Sequence, residues 1–176
     1  HRNSNKYDTD GEFIDNYLVE IPTLETDSKP NFTIIHLVGN HTDFSKRFPS
    51  NEAQFDIEMI SRPELSNKSK KMVADYDNAV LHNDKQIERI VNYYADKDAI
   101  IIYLSDHGDE VLDFRAHHGR NYSFDGLPPA SLHTQFDVPF MIFATDKYRE
   151  NHPEIIAEID QSLDKPFMTD WLPYLI

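Results

Sequence analysis

The sequence feature that most constrains the fold is an apolar run, residues 99–104, that ends in Ser105-Asp106-His107-Gly108. A run of this kind, without polar alternation, predicts a β-strand buried on both faces, as in parallel sheets covered by helices. In open α/β sheets, ligands bind in the crevice beyond the carboxyl ends of the strands. The adjacent carboxylate and imidazole therefore stand where a ligand site is expected.

Asp106 and His107 allow two interpretations. Carboxylate oxygen and imidazole nitrogen are both ligands of Zn²⁺, and Gly108, which has no side chain, lets the backbone turn tightly so that both groups converge. The alternative is a hydrogen-bonded structural pair inside the fold. Spacing alone leaves both interpretations open.

Two more apolar runs predict strands. Residues 32–38 are followed by Gly39-Asn40-His41, so a second histidine comes just after a strand, whereas His36 inside the run is interpreted as a core residue. Residues 138–144 form the third run, with a proline near its start. Three buried strands separated by helical patterns predict a layered α/β fold with a mainly parallel sheet.

Three segments have the spacing of amphipathic helices. Residues 11–21 are expected to end at Pro22, residues 68–95 give the clearest pattern, and Asn151-His152-Pro153 is expected to cap the third helix. The long segment has its apolar stripe at Val73, Tyr76, Val80, Ile87, Val91 and Tyr94. The third helix is expected to turn Ile155, Ile156, Ile159 and Leu163 inward, and a further helix is expected to begin at Thr169-Asp170.

Several polar positions carry their own expectations. Asp84 interrupts the apolar stripe, so its carboxylate is predicted to face inward and make a packing hydrogen bond rather than bind a metal. His82 is predicted to face solvent on the same helix. Residues 42–64 lack a period and are expected to be irregular. Residues 1–10 are polar and are expected to be disordered or a linker.

Charge and composition narrow the possible partners. The 176 residues include 31 acidic and 17 basic side chains, for a formal net charge of −14, which argues against nucleic acid or an anionic membrane surface and favours a divalent cation. Cysteine is absent, so there is neither a disulfide framework nor a thiolate metal site. No apolar run has the length of a membrane span.

An ordered set of motifs resembles the carboxyl-terminal half of the bacterial phosphoethanolamine transferases, within the sulfatase and alkaline phosphatase superfamily. The motifs are Gly39-Asn40-His41 with Arg47-Phe48-Pro49, Tyr76-Asp77-Asn78-Ala79-Val80-Leu81 with Asp84, Tyr103 to Gly108, His118-Gly119, and Gln135-Phe136-Asp137-Val138-Pro139. The resemblance implies a three-layer α/β/α fold in which residues 11–176 are the carboxyl-terminal part of the catalytic domain. It also implies a periplasmic domain anchored in the inner membrane, which transfers phosphoethanolamine from phosphatidylethanolamine to lipid A or another envelope glycan.

The resemblance further implies a divided site. Asp106 and His107 would bind the zinc that activates a threonine nucleophile upstream of this region, while His41 and His118 would bind a second zinc or the phosphate, with His117 as the alternative to His118. These side chains are expected to converge on one crevice. The chain alone is expected to be inactive and to need the amino-terminal half of its catalytic domain as partner.

Two other functions stay open. A sulfatase, or a phosphoglycerol transferase like lipoteichoic acid synthase, would share the Asp-His after a central strand. The chain could instead be a non-catalytic α/β module whose Asp106-His107 pair is structural. The family usually has Gly-Pro where this chain has Thr42-Asp43, so the motif around His41 departs from the family pattern.

Overall fold

The computed structural model describes residues 7–24, 30–120 and 125–174. The chain divides into two compact units, one made of residues 1–90 and 110–121 and the other of residues 91–109 and 122–176. Of the predicted linker, residues 1–6 lie outside the described residues.

The first helix of the first unit, α1, spans Asp10–Leu24. The predicted helix is thus confirmed, and its buried face carries Phe13, Ile14, Tyr17 and Ile21. The predicted stop at Pro22 is wrong, since this proline lies inside the last turn. A proline there removes one hydrogen bond close to the helix end, where the ladder is already incomplete.

The long helix, α2, spans Asn67–Tyr94 and confirms the second predicted helix. Its orientation differs from the prediction: Val80 is 39% exposed and Asp84 is exposed, whereas His82 is only 3% exposed. The buried residues are Ala74, Asp75, Asn78, Ala79, His82, Asn83, Gln86, Ile87 and Ile90. The predictions for Asp84 and His82 are therefore wrong, because this helix buries a partly polar face.

Residues 32–38 do not form the predicted strand. The segment has one isolated bridge, at His36, and is otherwise irregular, and neither strand of the described sheet pairs with it. A β-strand needs a ladder partner as well as an apolar sequence, so the run alone is insufficient. Residues 42–64 are irregular as predicted, apart from short 3-10 helices at Phe44–Lys46 and Ser50–Glu52.

The sheet of the second unit joins β1, Ile100–Leu104, to β2, Phe140–Ala144. The pairing is antiparallel with Ile102 opposite Ile142, so the predicted parallel arrangement is wrong for this pair. Every residue of β1 is half-buried rather than fully buried. An unbroken apolar run predicts contact on both faces of a strand, but it does not determine the direction of the neighbouring strand.

Three helices accompany this sheet: α3 at Pro129–Phe136, α4 at Asp146–Asn151 and α5 at Pro153–Asp160. The predicted start of α5 is confirmed, with proline in its first turn. Leu163 lies beyond the end of α5 and is 74% exposed, so its predicted inward position is wrong. A 3-10 helix begins at Thr169 as expected and spans Thr169–Tyr174. Within the described ranges, no helix is both long and apolar enough to cross a membrane.

Candidate functional site

The predicted site residues are divided between the two units. His41, His117 and His118 belong to the first unit, and Asp106 and His107 belong to the second. Their convergence on one crevice stays a prediction.

Asp106 and His107 follow β1 directly. The Nδ1 atom of His107 lies 2.8 Å from the carbonyl oxygen of Gly108. Because a carbonyl oxygen only accepts, Nδ1 carries a proton, so in the neutral imidazole the lone pair is on Nε2. This tautomer, held by a backbone carbonyl, is the one that metal-binding histidines commonly adopt.

The side chains of Asp106 and His107 are neighbours without being hydrogen-bonded to each other. Oδ2 of Asp106 lies 3.8 Å from Nε2 of His107, which is too long for a hydrogen bond, and the Asp106 side chain is 87% exposed. Oδ1 of Asp106 accepts the backbone N–H of His107 at 3.1 Å. A structural pair would be bonded and buried, so this geometry favours two separate donors facing one ligand.

The donor set fits part of a zinc site. Carboxylate oxygen and imidazole nitrogen bind zinc at about 2.0–2.2 Å, so donors 3.8 Å apart can reach one ion. Among the described residues, no group of three or more His, Cys, Asp or Glu side chains is arranged to hold a metal. Catalytic zinc usually takes three protein ligands, so Asp106 and His107 are an incomplete set.

The turn after His107 packs against the end of α3. The N–H of Gly108 donates to the carbonyl of Gln135 at 3.1 Å, and the hydroxyl of Ser105 donates to the carbonyl of His107 at 2.7 Å. A Cβ atom at position 108 would lie 2.2 Å from the carbonyl oxygen of Thr134. Only glycine fits this contact, so α3 fixes the backbone that carries the His107 ring.

In the first unit, α1 holds the backbone that leads to His41. The carboxylate of Asp10, which is 5% exposed, accepts the N–H of Val38 at 3.0 Å and the N–H of Gly39 at 2.7 Å. Gly39 has φ +59°, a left-handed conformation that favours glycine. His41 is exposed, and its Nδ1 lies 3.2 Å from the carbonyl of Thr42, which again leaves the lone pair on Nε2.

Residues 110–119 form a closed loop in the same unit. Val111 and His118 form an isolated antiparallel bridge, and the N–H of Leu112 donates to the carbonyl of His117 at 2.9 Å. Leu112 has φ +62°, which is uncommon for a residue with a side chain. The two histidines therefore lie on a folded loop rather than on a mobile tail.

A buried ion pair lies inside this loop. The Glu110 side chain is fully buried, and its Oε2 lies 2.6 Å from Nη2 and 3.1 Å from Nε of Arg115. Two N–H groups on one carboxylate oxygen fix the guanidinium relative to the carboxylate. This ion pair therefore holds the backbone immediately before His117.

The adjacent histidines differ in their surroundings. The ring of His118 meets the buried ring of Phe44 edge-on, with centroids 6.4 Å apart. The Nε2 atom of His117 is buried and has no hydrogen-bond partner among the residues that the structure describes. A buried polar atom without a partner is costly unless a ligand satisfies it. The geometry therefore favours His117 over His118 as the side chain that reaches a ligand.

The polar face of α2 holds the irregular segment that follows His41. Oδ1 of Asn78 accepts the N–H groups of Gln54 and Phe55 at 2.7 and 2.9 Å, and its Nδ2 donates to the Phe55 carbonyl at 2.9 Å. One turn later, Nδ1 of His82 lies 3.1 Å from Oε2 of Glu52. These contacts give Asn78 and His82, two of the polar residues buried on α2, partners outside the helix.

Asp77, beside Asn78, is predicted to destabilise the fold at neutral pH. Burial, and then the negative charge of Asp113, raise the pKa of the Asp77 carboxyl. The folded state therefore binds this proton more tightly than the unfolded state does. The stabilisation that the protonated Asp77 carboxyl gives the fold is complete in acid and is lost as the pH rises through the folded-state pKa. Asp77→Asn should raise the free energy of unfolding near pH 7, and the gain should vanish below about pH 3.9, the unfolded-state value.

Urea unfolding of Asp77→Asn at pH 7 and pH 3.5 measures this effect. Asp84→Asn, on an exposed position of the same helix, is the matched control and should show no gain at pH 7. A loss of stability in Asp77→Asn at pH 7 would contradict the prediction.

Comparison with known proteins gives a consistent family relationship. A family model described as Sulfatase matches residues 1–169. The chain is 29% identical over 162 residues to phosphoethanolamine transferase EptC of Escherichia coli K12, covering 89% of this chain and 26% of that protein. It is 32% identical over 133 residues to the Kdo(2)-lipid A phosphoethanolamine 7''-transferase of the same organism, covering 74% of this chain and 22% of that protein. The chain thus spans about a quarter of the length of these curated relatives.

A solved structure shares the architecture. The zinc complex of the C-terminal periplasmic domain of EptC from Escherichia coli superposes with a TM-score of 0.70 and 26% sequence identity. The match covers 87% of this chain and 42% of that domain.

Proposed function

This chain belongs to the sulfatase family, and we propose that residues 11–176 are the carboxyl-terminal part of the catalytic domain of a zinc-dependent phosphoethanolamine transferase. The chain has the alkaline phosphatase/sulfatase-like α/β fold, of which the described residues supply a part. The proposed reaction transfers phosphoethanolamine from phosphatidylethanolamine to lipid A or another envelope glycan, in the periplasm, by a protein anchored in the inner membrane. The name of the lipid A transferase relative and the zinc complex of the EptC domain support this proposal.

One observation carries the proposal at the level of residues. His107 presents Nε2 with its lone pair beside the exposed carboxylate of Asp106, on a turn that only glycine at position 108 allows. When bound, zinc would supply positive charge beside a phosphoryl oxygen and make a hydroxyl nucleophile more acidic. The chemistry of the donor set fits that ion.

His41 and His117, with His118 beside it, would bind the phosphate or a second zinc. His41 keeps its lone pair on Nε2, and the Nε2 of His117 is buried without a partner among the described residues. The lone pair of a neutral imidazole can bind a second zinc, whereas a protonated imidazole can donate to a phosphate oxygen or protonate a leaving oxygen. We assign this role to His41 and to His117, with His118 beside it.

The nucleophilic threonine of the resembled family lies upstream of these residues, so the chain alone should not turn over a phosphoethanolamine donor. The amino-terminal half of the catalytic domain would supply the nucleophile and an acidic ligand. The proposed partners are therefore that half of the domain, the phospholipid donor and the glycan acceptor.

Zinc titration tests the proposed metal residues without an activity assay. The chain should bind zinc weakly, because two of the usual three protein ligands are present. His107→Ala should weaken binding at least about tenfold, since the variant removes one of two donors. His133→Ala, which removes an imidazole that is 73% exposed in the same unit, is the matched control and should leave the isotherm unchanged.

Thermal melts without metal complete this experiment. His107→Ala should keep the melting temperature of the parent chain if the imidazole serves the metal rather than the fold. Identical zinc isotherms, together with a large drop in melting temperature, would mean that Asp106 and His107 are structural and would overturn the assignment.

A further inference from the structure

Arg47 lies on the same backbone turn as His41, and both side chains meet one oxygen. Nη2 of Arg47 donates to the carbonyl of Thr42 at 3.3 Å, and Nδ1 of His41 lies 3.2 Å from that carbonyl. The guanidinium is therefore held beside the imidazole. Asp43, which follows Thr42, has φ +22°, a conformation that residues with a side chain rarely adopt. This strain supports a functional role for the turn, since strained backbone clusters at functional sites.

The positive charge of Arg47 is not matched by a carboxylate. Among the residues that the structure describes, Arg47 makes no ion pair. Lys46 and, more weakly, Arg47 lower the pKa of the Asp43 carboxyl, but that carboxylate accepts its hydrogen bond from Lys46, at 2.8 Å. A half-buried guanidinium without an acidic partner costs free energy and is available to bind an anion.

Arg47 also has a buried nitrogen without a partner. Its Nε lacks a hydrogen-bond partner among the described residues, as do Oδ1 of Asn40 and Nε2 of His117. Phe44, on the same turn, meets the ring of His118 edge-on, so this turn contacts the loop that carries both adjacent histidines. Most buried polar atoms in proteins are hydrogen-bonded, and exceptions are explained by features such as a bound ion or water. The three atoms therefore indicate that these motifs bind a polar ligand.

We propose that Arg47 binds a phosphate-ester oxyanion of the substrate beside His41. The inference rests on the proposed function, in which His41 serves the phosphate or a second zinc. Arginine suits this role because its planar fork offers parallel N–H groups to one phosphate and its charge does not titrate in the physiological range. The oxyanion belongs to the phospholipid donor or to a phosphorylated glycan acceptor, which share the chemistry that a guanidinium recognises.

Stabilisation of the 176-residue chain by inorganic phosphate tests the proposal without an activity assay. Phosphate should raise the melting temperature of the parent chain, because a ligand of the folded state stabilises that state. Arg47→Met should weaken phosphate binding by about tenfold or more, since it removes charge-assisted hydrogen bonds. Arg47→Lys, which keeps the charge but lacks the fork, should recover part of that loss.

Lys46→Met is the matched control. It removes the same charge one residue away, from a side chain that is 71% exposed and paired with Asp43, and should leave phosphate binding unchanged. The titrations are made at about 0.15 M salt, where exposed charges are largely screened. Equal losses of phosphate binding in Arg47→Met and Lys46→Met would reduce the effect to net charge and would overturn the proposal.

Melts without phosphate separate binding from folding. Arg47→Met should melt within about 2 °C of the parent chain or above it, because the variant removes a half-buried charge that has no acidic partner. A lower melting temperature, together with an undiminished response to phosphate, would mean that Arg47 only holds the Thr42 carbonyl. That result would overturn the proposal.

Two phosphate esters distinguish the source of the oxyanion. Arg47-dependent stabilisation by glycerophosphoethanolamine would assign it to the donor, and by glucosamine 1-phosphate alone to the acceptor; either result supports the proposal. Failure of all three phosphate compounds to stabilise the parent chain would overturn it. Transfer activity of the complete gene product is measured separately, so Arg47-dependent phosphate binding without transfer would reject the proposed function alone.

Discussion

Replacing Arg115 by Met is expected to lower the free energy of unfolding by about 3–5 kcal/mol, because the variant leaves the carboxylate of Glu110 without its cation. The Glu110 side chain is fully buried, and Nη2 of Arg115 lies 2.6 Å from its Oε2. The N–H of Phe114 also donates to this carboxylate, but at 3.4 Å it is too long to compensate for a lost guanidinium. Urea unfolding followed by circular dichroism measures the loss.

Two further variants make this result interpretable. Lys46→Met removes an ion pair to Asp43 of similar length, 2.8 Å, whose side chains are 71% and 63% exposed, so its effect should be much smaller than that of Arg115→Met. The double variant Glu110→Leu/Arg115→Leu should recover part of the loss, since no buried charge then lacks a partner. If Arg115→Met and Lys46→Met lowered the free energy of unfolding equally, burial of the Glu110–Arg115 pair would have no consequence for stability.

Most of the helices could be predicted from the sequence because they follow local rules. The apolar spacing of residues 11–21 and 68–95 located α1 and α2, and proline in the first turn located the start of α5. These signals depend on the residues of the segment itself. Helices α3 and α4 were not predicted, since segments of eight and six residues with mixed polarity carry little periodicity.

The buried face of α2 could not be predicted from apolar spacing. Its apolar stripe pointed to the face of Val80, but the helix buries Asn78 and His82, whose partners lie 23 and more residues away in sequence. Hydrogen bonds to a distant segment outweigh apolar periodicity when the buried polar groups are satisfied. A signal was present, because polar residues recur at helical spacing at Asp75, Asn78, His82 and Gln86.

The direction and pairing of strands also depend on residues outside each run. The apolar sequences located β1 and β2, but the antiparallel pairing between them is a property of the chain path. Residues 32–38 have the same apolar character but show only an isolated bridge at His36, and they belong to neither strand of the described sheet. Sequence therefore identified segments able to form strands, whereas the partner decides which of them do.

The sequence predicts a site where a carboxylate and an imidazole follow the end of a strand, and the role of Asp106 and His107 in such a site stays a prediction. The structure adds the contact of His107 Nδ1 with the carbonyl of Gly108 and the lack of a hydrogen bond between the two side chains. The role of Asp10 was missed, because this residue was assigned to a linker and only the fold brings it to the backbone before His41. The choice between His117 and His118 stays a prediction, because the two residues have identical side chains; the buried Nε2 of His117, which lacks a partner among the described residues, favours His117.

Gly108→Ala is expected to have the largest effect on the second unit, with a loss of about 3 kcal/mol or more in the free energy of unfolding. The added Cβ would lie 2.2 Å from the carbonyl oxygen of Thr134, and because that atom is backbone, the whole end of α3 must move to admit it. The movement also breaks the bond from the N–H of Gly108 to the carbonyl of Gln135, so amide exchange in α3 should accelerate. Gly126→Ala is the matched control: no atom of the described structure lies within 4 Å of its Cβ, and its φ of +76° predicts a cost of about 1–2 kcal/mol from backbone strain alone. Urea unfolding and hydrogen exchange of both variants decide the matter, and equal losses would mean that the turn after His107 tolerates a side chain and does not depend on close packing against α3.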